Sequence, residues 1–358
     1  MLTRVEAEVT RLMALFETAG AVRVAPAALQ PADTLLDLYG EDIRGRAFVT
    51  SDDTGEWMLR PDFTVPVVQR HMAVGAGEAR YAYAGPVWRR QPRGTARPRE
   101  YLQAGFELFG GPDPAKADAE VFALIARAMA DRPVQIATGD MGLVLAVIAG
   151  LDTSEARRAA LRRHLWRPQR FNLLLERFAA PPARNPVLPS GDFKTAITAV
   201  GKPIGTRQAE DVLARLNRLA EDAVAPPIPA AQVTVLSRIL ALRATAEDAL
   251  AILRGLDHDM PSLDAAIEVF EARLEALQHH GFDPDTLPFE GAFGRTSMEY
   301  YDGFVFGFIS PERPDLPVLA SGGRYDALTD VLGGAEGGTP AVGAILRPES
   351  ILALDPGT

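Results

Sequence analysis

The segment from Gly85 to Gly110 constrains this chain more than any other part of its sequence. It holds five arginines within eleven positions and then passes into a patterned strand. Guanidinium groups cannot share a dry core, because each would lose its hydration without gaining a partner. We therefore expect this arginine-rich part to face water, an acidic partner or an anionic ligand. The arginines are Arg89, Arg90, Arg93, Arg97 and Arg99.

The strand that follows, from Tyr101 to Leu108, alternates between two faces. Successive side chains of a strand point to opposite sides, so Gln103, Gly105 and Glu107 share one face. The other face is apolar and carries Leu102, Ala104, Phe106 and Leu108. This spacing predicts a polar floor with room above Gly105, which suits a small zwitterion. The alternative is an arginine-rich hairpin with one solvated strand face.

The charge of the chain disfavours nucleic acid as a partner. The formal net charge is −10, and only three of the basic residues are lysines. Binding a folded RNA requires a surplus of basic residues on one face, whereas the overall field of this chain would repel nucleic acid. A local basic patch around Arg157 to Arg170 is left open.

Composition excludes several other classes of site. The chain has no cysteine, which excludes disulfides and thiolate metal ligands and fits a reducing cytoplasm. Its five histidines lack the spacing of metal ligands. No run of about 18 apolar residues occurs, so we expect no membrane partner. We predict a cytoplasmic protein with no metal and no cofactor.

The hydrophobic pattern divides the chain into two β-rich parts separated by a helical middle. This order predicts an α+β protein whose core, residues 1–150 and 281–358, is interrupted by a mainly helical insertion at 151–280. We expect helices at 1–20, 118–129, 142–149 and 325–332. We expect strands at 47–50, 56–60, 80–86, 100–109, 134–138, 293–299, 303–309, 317–320 and 341–346.

Five segments together resemble one family. The segment from Gly85 to Gly110 resembles motif 2 of the class II aminoacyl-tRNA synthetases, in the version carried by histidyl-tRNA synthetases. The other four follow in the order of that family, between about residues 59 and 346. They are LRPDFTVP at 59–66, EYYDGFVF at 299–306, SGGRYD at 321–326 and TPAVG at 339–343. The resemblance implies a class II synthetase-like core with a mixed, mostly antiparallel sheet flanked by helices.

The resemblance also implies a site for histidine. An ammonium, a carboxylate and an imidazole each need a complement, and charged hydrogen bonds supply most of the affinity. By analogy, Asp62, Thr64 and Gln103 would bind the ammonium. The carboxylate would bind Arg89. The imidazole would lie between Glu107 and the hydroxyl of Tyr301, with Tyr325 in the pocket wall.

The chain departs from the synthetase pattern where ATP would bind. Gln91 stands in place of an acid that contacts ATP, and Ser350 in place of the arginine that holds the γ-phosphate. Arg347 lies three residues too early to replace it. The histidine-specific arginine falls on Thr296, and a slip of one residue would point the neighbouring Arg295 to the opposite face. Losing such donors costs about 10²- to 10³-fold in rate each.

The pattern of what is kept and what is lost resembles the regulatory subunits of ATP phosphoribosyltransferase. Only eight residues follow Ser350, so we expect no anticodon-binding domain. The resemblance implies a non-catalytic histidine sensor that dimerises and assembles with a short-form catalytic subunit into a hetero-octamer. It would activate that subunit and mediate histidine feedback in the first step of histidine biosynthesis. The alternatives are a truncated histidyl-tRNA synthetase, or a paralogue that adenylates another acceptor.

Overall fold

The computed structural model describes most of the chain. The described residues are 2–33, 36, 44–75, 77–91, 94–95, 97–181, 192–201, 208–256, 260–295, 300–334 and 337–354. No helix within these ranges combines the length and the apolar composition needed to cross a membrane.

Thirteen α-helices lie within the described ranges. The first part of the chain carries α1 (Leu2–Thr18), α2 (Thr64–Val74), α3 (Pro114–Ala128), α4 (Met141–Gly150) and α5 (Glu155–His164). The middle carries α6 (Pro168–Ala179), α7 (Phe193–Val200), α8 (Ala209–Val224), α9 (Ala230–Ala241) and α10 (Ala246–Arg254). The last three are α11 (Asp264–His279), α12 (Asp326–Gly333) and α13 (Pro348–Leu352).

Several helices begin at side chains that accept a backbone N–H of the first turn. The caps are Asp113 for α3, Asp140 for α4, Ser154 for α5, Asp192 for α7 and Thr245 for α10. Short polar side chains at this position satisfy N–H groups that the helix itself cannot bond, so the sequence sets where these helices start.

The strands form two sheets among the described residues. The larger sheet has the order β1 β5 β6 β12 β11 β10 β7 β9 β8 and the smaller one the order β2 β4 β3. Only β1 with β5 and β7 with β9 pair in parallel within these sheets. The strands are β1 Val22–Arg23, β2 Leu29–Pro31, β3 Val49–Asp52, β4 Gly55–Leu59, β5 Ala79–Trp88, β6 Glu100–Phe109, β7 Gln135–Asp140, β8 Arg243–Thr245, β9 Pro288–Glu290, β10 Phe304–Ile309, β11 Ala320–Arg324 and β12 Ala341–Leu346.

This architecture confirms the predicted α+β class and the mixed, mostly antiparallel sheet. The predictions for 1–20, 56–60, 100–109 and 341–346 each fall on an element that ends within two residues of the predicted bounds. The hydrophobic pattern sufficed for α1, which buries the apolar side of an amphipathic helix, and for β12, which is buried at all six positions.

Two strand predictions near the end of the chain were wrong. Residues 293–295 form a turn instead of a strand, and 296–299 lie outside the described residues. The strand expected at 317–320 begins only at its last residue and continues to Arg324. Its centre is Ser321-Gly322-Gly323, a composition that resembles a loop and conceals the strand from pattern analysis.

The helical middle contributes to the larger sheet. Strand β8 pairs with β9 at its edge, and α11 packs against α3 of the first β-rich part. Buried apolar residues from both parts belong to one continuous cluster. The division into a discontinuous core and a helical insertion at 151–280 stays a prediction.

Candidate functional site

Glu107 is the centre of the candidate site. It lies on β6 with 1% of its surface exposed, and three hydroxyl groups donate hydrogen bonds to its carboxylate. Thr64 Oγ1 and Tyr83 OH donate to Oε1 at 3.0 and 2.8 Å, and Tyr325 OH donates to Oε2 at 2.5 Å. The floor that the sequence predicts is thus a buried surface, and the alternative of a solvated strand face is wrong at Glu107.

Glycines on neighbouring strands make space for these side chains. A Cβ on Gly343, which pairs with Glu107, would lie 1.5 Å from the Glu107 carboxylate. A Cβ on Gly105 would lie 2.3 Å from the ring of Tyr83, its partner on β5. The room predicted above Gly105 is therefore filled by Tyr83, because the hairpin register places the two residues opposite each other.

Burial gives Glu107 an unusual proton affinity. Loss of hydration raises the pKa of Glu107 to about 7, against the opposing effect of the hydroxyl donors Tyr325, Tyr83 and Thr64. The charge of Asp62 raises it further. Glu107 can therefore exchange its proton near neutral pH when a ligand changes its surroundings.

Asp62 and Arg89 lie on the same side of the site. Asp62 is buried, and desolvation raises its pKa while the charge of Arg89 opposes that rise. Arg89 donates through Nε to the carbonyl of Pro61 at 2.8 Å, which holds the arginine beside Asp62. Asp62 and Glu107 are both buried carboxylates, and their negative charge, when they are ionised, favours a cationic group such as an ammonium.

Gln103 supplies a polar group that the protein does not use. The residue is fully buried on β6, at 0% exposure. Among the described residues, neither its Oε1 nor its Nε2 has a hydrogen-bond partner. Burying an unbonded amide costs about 1–3 kcal/mol, and native proteins rarely tolerate it without a functional reason. A ligand with both donors and acceptors would satisfy it.

Tyr300 and Tyr301 close the site from the segment before β10. Tyr300 OH lies 3.4 Å from Thr64 Oγ1, and its ring packs on Tyr301 at 5.0 Å between centroids. Tyr301 is buried, and desolvation followed by the charge of Glu107 raises the pKa of its hydroxyl. The Tyr301 hydroxyl therefore stays protonated at neutral pH and can donate a hydrogen bond.

The structure adds two tyrosines that sequence reasoning missed and gives a third a more direct contact. Tyr83 bonds Glu107 and stacks on Phe63 with 4.4 Å between ring centroids. Tyr300 reaches Thr64, and Tyr325, predicted only as pocket wall, donates directly to Glu107. Counting residues back from the loop of the hairpin places Tyr83 opposite Gly105. That count could have predicted Tyr83 as a residue of the site.

Arg89 also lines a cavity of about 760 Å³. Its lining includes Arg89, Arg90, Gln91, Arg97, Arg347, Glu349 and Ser350. The acidic side chains of its lining are already engaged, since Asp315 pairs with Arg313 and Glu349 accepts the N–H of Leu102 at 3.1 Å. Two of the three positions that depart from the synthetase pattern, Gln91 and Ser350, thus meet in one cavity.

The contacts that the structure gives for Arg295 lie with Leu165 and Phe171 and do not include Glu107. Its Nε donates to the carbonyl of Leu165 at 3.0 Å, and its guanidinium lies over the ring of Phe171. Thr296, which takes the place of the histidine-specific arginine, lies outside the described residues.

These groups together can bind an amino acid whose side chain carries a hydrogen-bond donor. Asp62 and Gln103 suit an ammonium, Arg89 suits a carboxylate, and Glu107 with Tyr301 can bond a polar ring from two sides. The structure brings Thr64, Glu107 and Tyr325 into one hydrogen-bonded cluster. Asp62 and Tyr301 lie within electrostatic reach of Glu107, since the charge of Asp62 raises the pKa of Glu107 and the charge of Glu107 raises the pKa of Tyr301.

Comparison with known proteins gives concordant results. The family model of histidyl-tRNA synthetase matches residues 2–180 and 191–351. Proteins named ATP phosphoribosyltransferase regulatory subunit, from Brucella canis and from Brucella abortus strain 2308, are each 32% identical over 347 residues. Each match covers 91% of this chain, with 91% of the B. canis protein and 90% of the B. abortus protein.

Solved structures show the same fold. An ATP phosphoribosyltransferase regulatory subunit/histidyl-tRNA synthetase from Bacillus halodurans C superimposes with a TM-score of 0.69 at 20% identity, covering 99% of this chain and 80% of that one. Histidyl-tRNA synthetase from Nostoc sp. PCC 7120 gives a TM-score of 0.64 at 15% identity, covering 98% of this chain and 70% of that one.

Proposed function

This chain belongs to the histidyl-tRNA synthetase-like family, with curated relatives that are ATP phosphoribosyltransferase regulatory subunits, and we propose that it is a histidine-sensing regulatory subunit of this kind. It binds histidine, assembles with a short-form catalytic subunit in the cytoplasm and performs no chemistry of its own. The observation that carries the proposal is the buried carboxylate of Glu107 among three hydroxyl groups.

The site supports histidine over other amino acids. An apolar side chain would add no hydrogen bond to the buried carboxylate of Glu107 or to the buried hydroxyl of Tyr301, whereas an imidazole can bond both. Glu107 accepts from an imidazole N–H and Tyr301 donates to the other ring nitrogen. Asp62, Thr64 and Gln103 hold the ammonium, and Arg89 holds the carboxylate.

The large cavity supports the absence of adenylation. A nucleotide there would meet Gln91 and Ser350 in place of an acid and an arginine, and the acids of the lining already have partners. Arg347 is turned to the carbonyl of Val318. Without those two groups, the nucleotide would lack the acid that contacts ATP and the arginine that holds the γ-phosphate.

Two helices whose N-terminal residues bond Glu107 provide a route for feedback. Thr64 is the first residue of α2, Tyr325 immediately precedes α12, and these helices pack against each other. An imidazole that bonds Glu107 competes with these hydroxyls and so shifts the starts of both helices. A coupling of about 1–3 kcal/mol between histidine and the partner subunit requires only such a change in packing.

The test is phosphoribosyl transfer from phosphoribosyl pyrophosphate to ATP by a short-form catalytic subunit. We expect the rate to rise when this protein is added and to fall again with histidine. A rate that is unchanged by the protein would refute the proposal. Histidine-dependent exchange of pyrophosphate into ATP would favour the truncated synthetase instead.

Histidine affinity should rise with pH. Free Glu107 has a pKa of about 7 and must ionise to accept the imidazole N–H, so binding competes with its proton. From Glu107 alone, we expect affinity to be about tenfold higher at pH 8 than at pH 6, with protons released on binding at pH 7. Titration calorimetry in two buffers of different ionisation enthalpy measures both quantities. Proton uptake at pH 7 would contradict the assignment of Glu107.

The alternative hypothesis is that the pocket binds an amino acid other than histidine. The proposed discrimination between amino acids rests on Glu107 and Tyr301. It is tested by asking whether glutamine or tyrosine, at the same concentration as histidine, competes with histidine for the site. Binding of either as tightly as histidine would move the function towards a paralogue that serves another acceptor.

A further inference from the structure

The register of the two floor strands places Arg347 beside the ligand site. Strand β12 pairs with β6 so that Gly343 lies opposite Glu107, and the pairing continues residue by residue to the end of β12. Arg347 follows that end with an extended backbone, and the same register places it opposite Gln103. Residues opposite each other on antiparallel strands point to the same side of the sheet. The Arg347 side chain therefore leaves the sheet on the face that carries Gln103 and Glu107.

The surroundings of Arg347 agree with this direction. Tyr101, which shares its face of β6 with Gln103, lines the cavity of about 760 Å³ together with Arg89 and Arg347. Desolvation lowers the pKa of Arg347, the neighbouring Tyr101 opposes that fall, and the charge of Arg89 adds to it. Tyr301 also lies within electrostatic reach of Arg347. Arginine keeps its proton in proteins, so a second guanidinium charge lies between Arg89 and the ligand site.

The protein itself supplies no anion for Arg347. One Nη1 N–H donates to the carbonyl of Val318, and no ion pair of Arg347 occurs within the described ranges. Glu349, two residues further along the chain, accepts the N–H of Leu102 instead. Neighbouring guanidinium groups repel each other in a partly buried place, and an anion between Arg347 and Arg89 would relieve that repulsion. A carboxylate fits, because its two oxygens match the paired donors of a guanidinium.

Gln103, opposite Arg347, indicates which kind of carboxylate this is. Its side chain is fully buried, and both amide atoms lack a hydrogen-bond partner in the described part of the chain. The amide NH₂ can donate to a carboxylate, while the amide oxygen needs a donor such as an ammonium. An α-amino acid carries both groups on one carbon, whereas an inorganic anion would leave the amide oxygen without a partner. The main-chain end of an amino acid therefore suits this position.

We propose that Arg347 is a specificity residue of the histidine site, where it binds the α-carboxylate of the ligand together with Arg89 and Gln103. This inference rests on the proposed function, since it concerns the same ligand. Glu107 and Tyr301 recognise the imidazole, which an alcohol or an ester of histidine also carries. The paired arginines require the free carboxylate, so the site distinguishes the amino acid from those derivatives.

The experiment compares histidine with histidinol, in which a hydroxymethyl group replaces the carboxylate. Titration calorimetry of the full chain measures both affinities. Arg347→Met should weaken histidine binding about 10- to 150-fold and should not weaken histidinol binding, because the alcohol forms no ion pair with this side chain. The matched control is Arg97→Met, which removes the same charge from an exposed loop position of the same cavity. It should change neither affinity by more than about twofold.

The outcomes separate this inference from the proposed function. Equal weakening of both ligands by Arg347→Met would show that Arg347 only supports the structure, and the inference would be wrong. A second variant, Arg347→Lys, keeps the charge without the planar fork and should reduce the preference for histidine over histidinol by at least about threefold. An unchanged preference in both variants would also overturn the inference while leaving the histidine sensor in place. If the wild-type protein does not bind histidine, the proposed function itself fails.

Discussion

Replacing Glu107 with glutamine is expected to weaken histidine binding about 10- to 150-fold, because a charge-assisted hydrogen bond contributes about 1.5–3 kcal/mol. The amide keeps the shape of the carboxylate. It has one acceptor oxygen and one NH₂ group, whereas Thr64, Tyr83 and Tyr325 all donate to this side chain. At least one hydroxyl therefore loses its acceptor, and the ligand must compete for the remaining one. Titration calorimetry of histidine measures the loss.

The same strand offers a matched control. Glu100 is exposed at the start of β6, so Glu100→Gln makes the identical chemical change away from the site and should leave histidine affinity unchanged. In the transferase assay, Glu107→Gln should still activate the catalytic subunit and should need about 10- to 150-fold more histidine for inhibition. Histidine affinity within twofold of wild type would remove Glu107 from the imidazole contact.

The period of one strand was enough to find the floor of the site. Gln103 and Glu107 share a face of β6 by alternation alone, and both are buried where alternation placed them. The alternation could not predict that this face is buried, because a polar face exposed to solvent gives the same sequence pattern. That depends on α2 and on the tyrosines that cover it, which come from distant segments.

Sequence patterns did not predict the contacts that depend on strand register or on long-range packing. Tyr83 meets Gly105 only because the hairpin pairs them residue for residue. Within the family-like segment Ser321–Asp326, only Tyr325 bonds Glu107. Arg324 and Asp326 instead join a buried ionic cluster with Asp118. A shared motif therefore combines ligand contacts with structural ones.

That ionic cluster fixes helix α11 to the rest of the protein. Arg273 of α11 is 1% exposed and donates to Asp118 at 2.8 Å and to Asp140 at 2.6 Å. Asp118 lies 155 residues earlier in the chain and also accepts from Arg324. Such a separation leaves no local signal, so an arginine in an amphipathic helix looks like any solvated residue. The contribution of Arg273 should instead be measurable as a change in the free energy of unfolding.

Arg273→Met should destabilise the fold by about 3–5 kcal/mol, because it leaves the buried carboxylate of Asp140 without its cation and Asp118 with Arg324 alone. The urea midpoint of unfolding measures the change. The control Arg254→Met removes an exposed ion pair with Glu271 on the same packed helices and should cost at most about 1 kcal/mol. Adding Asp140→Asn to Arg273→Met removes the stranded charge and should recover part of the loss. The amide at this position still has an oxygen that can accept the N–H of Gly142. Equal costs for Arg273→Met and Arg254→Met would show that the buried carboxylates find other compensation, and the cluster would then not be what anchors α11.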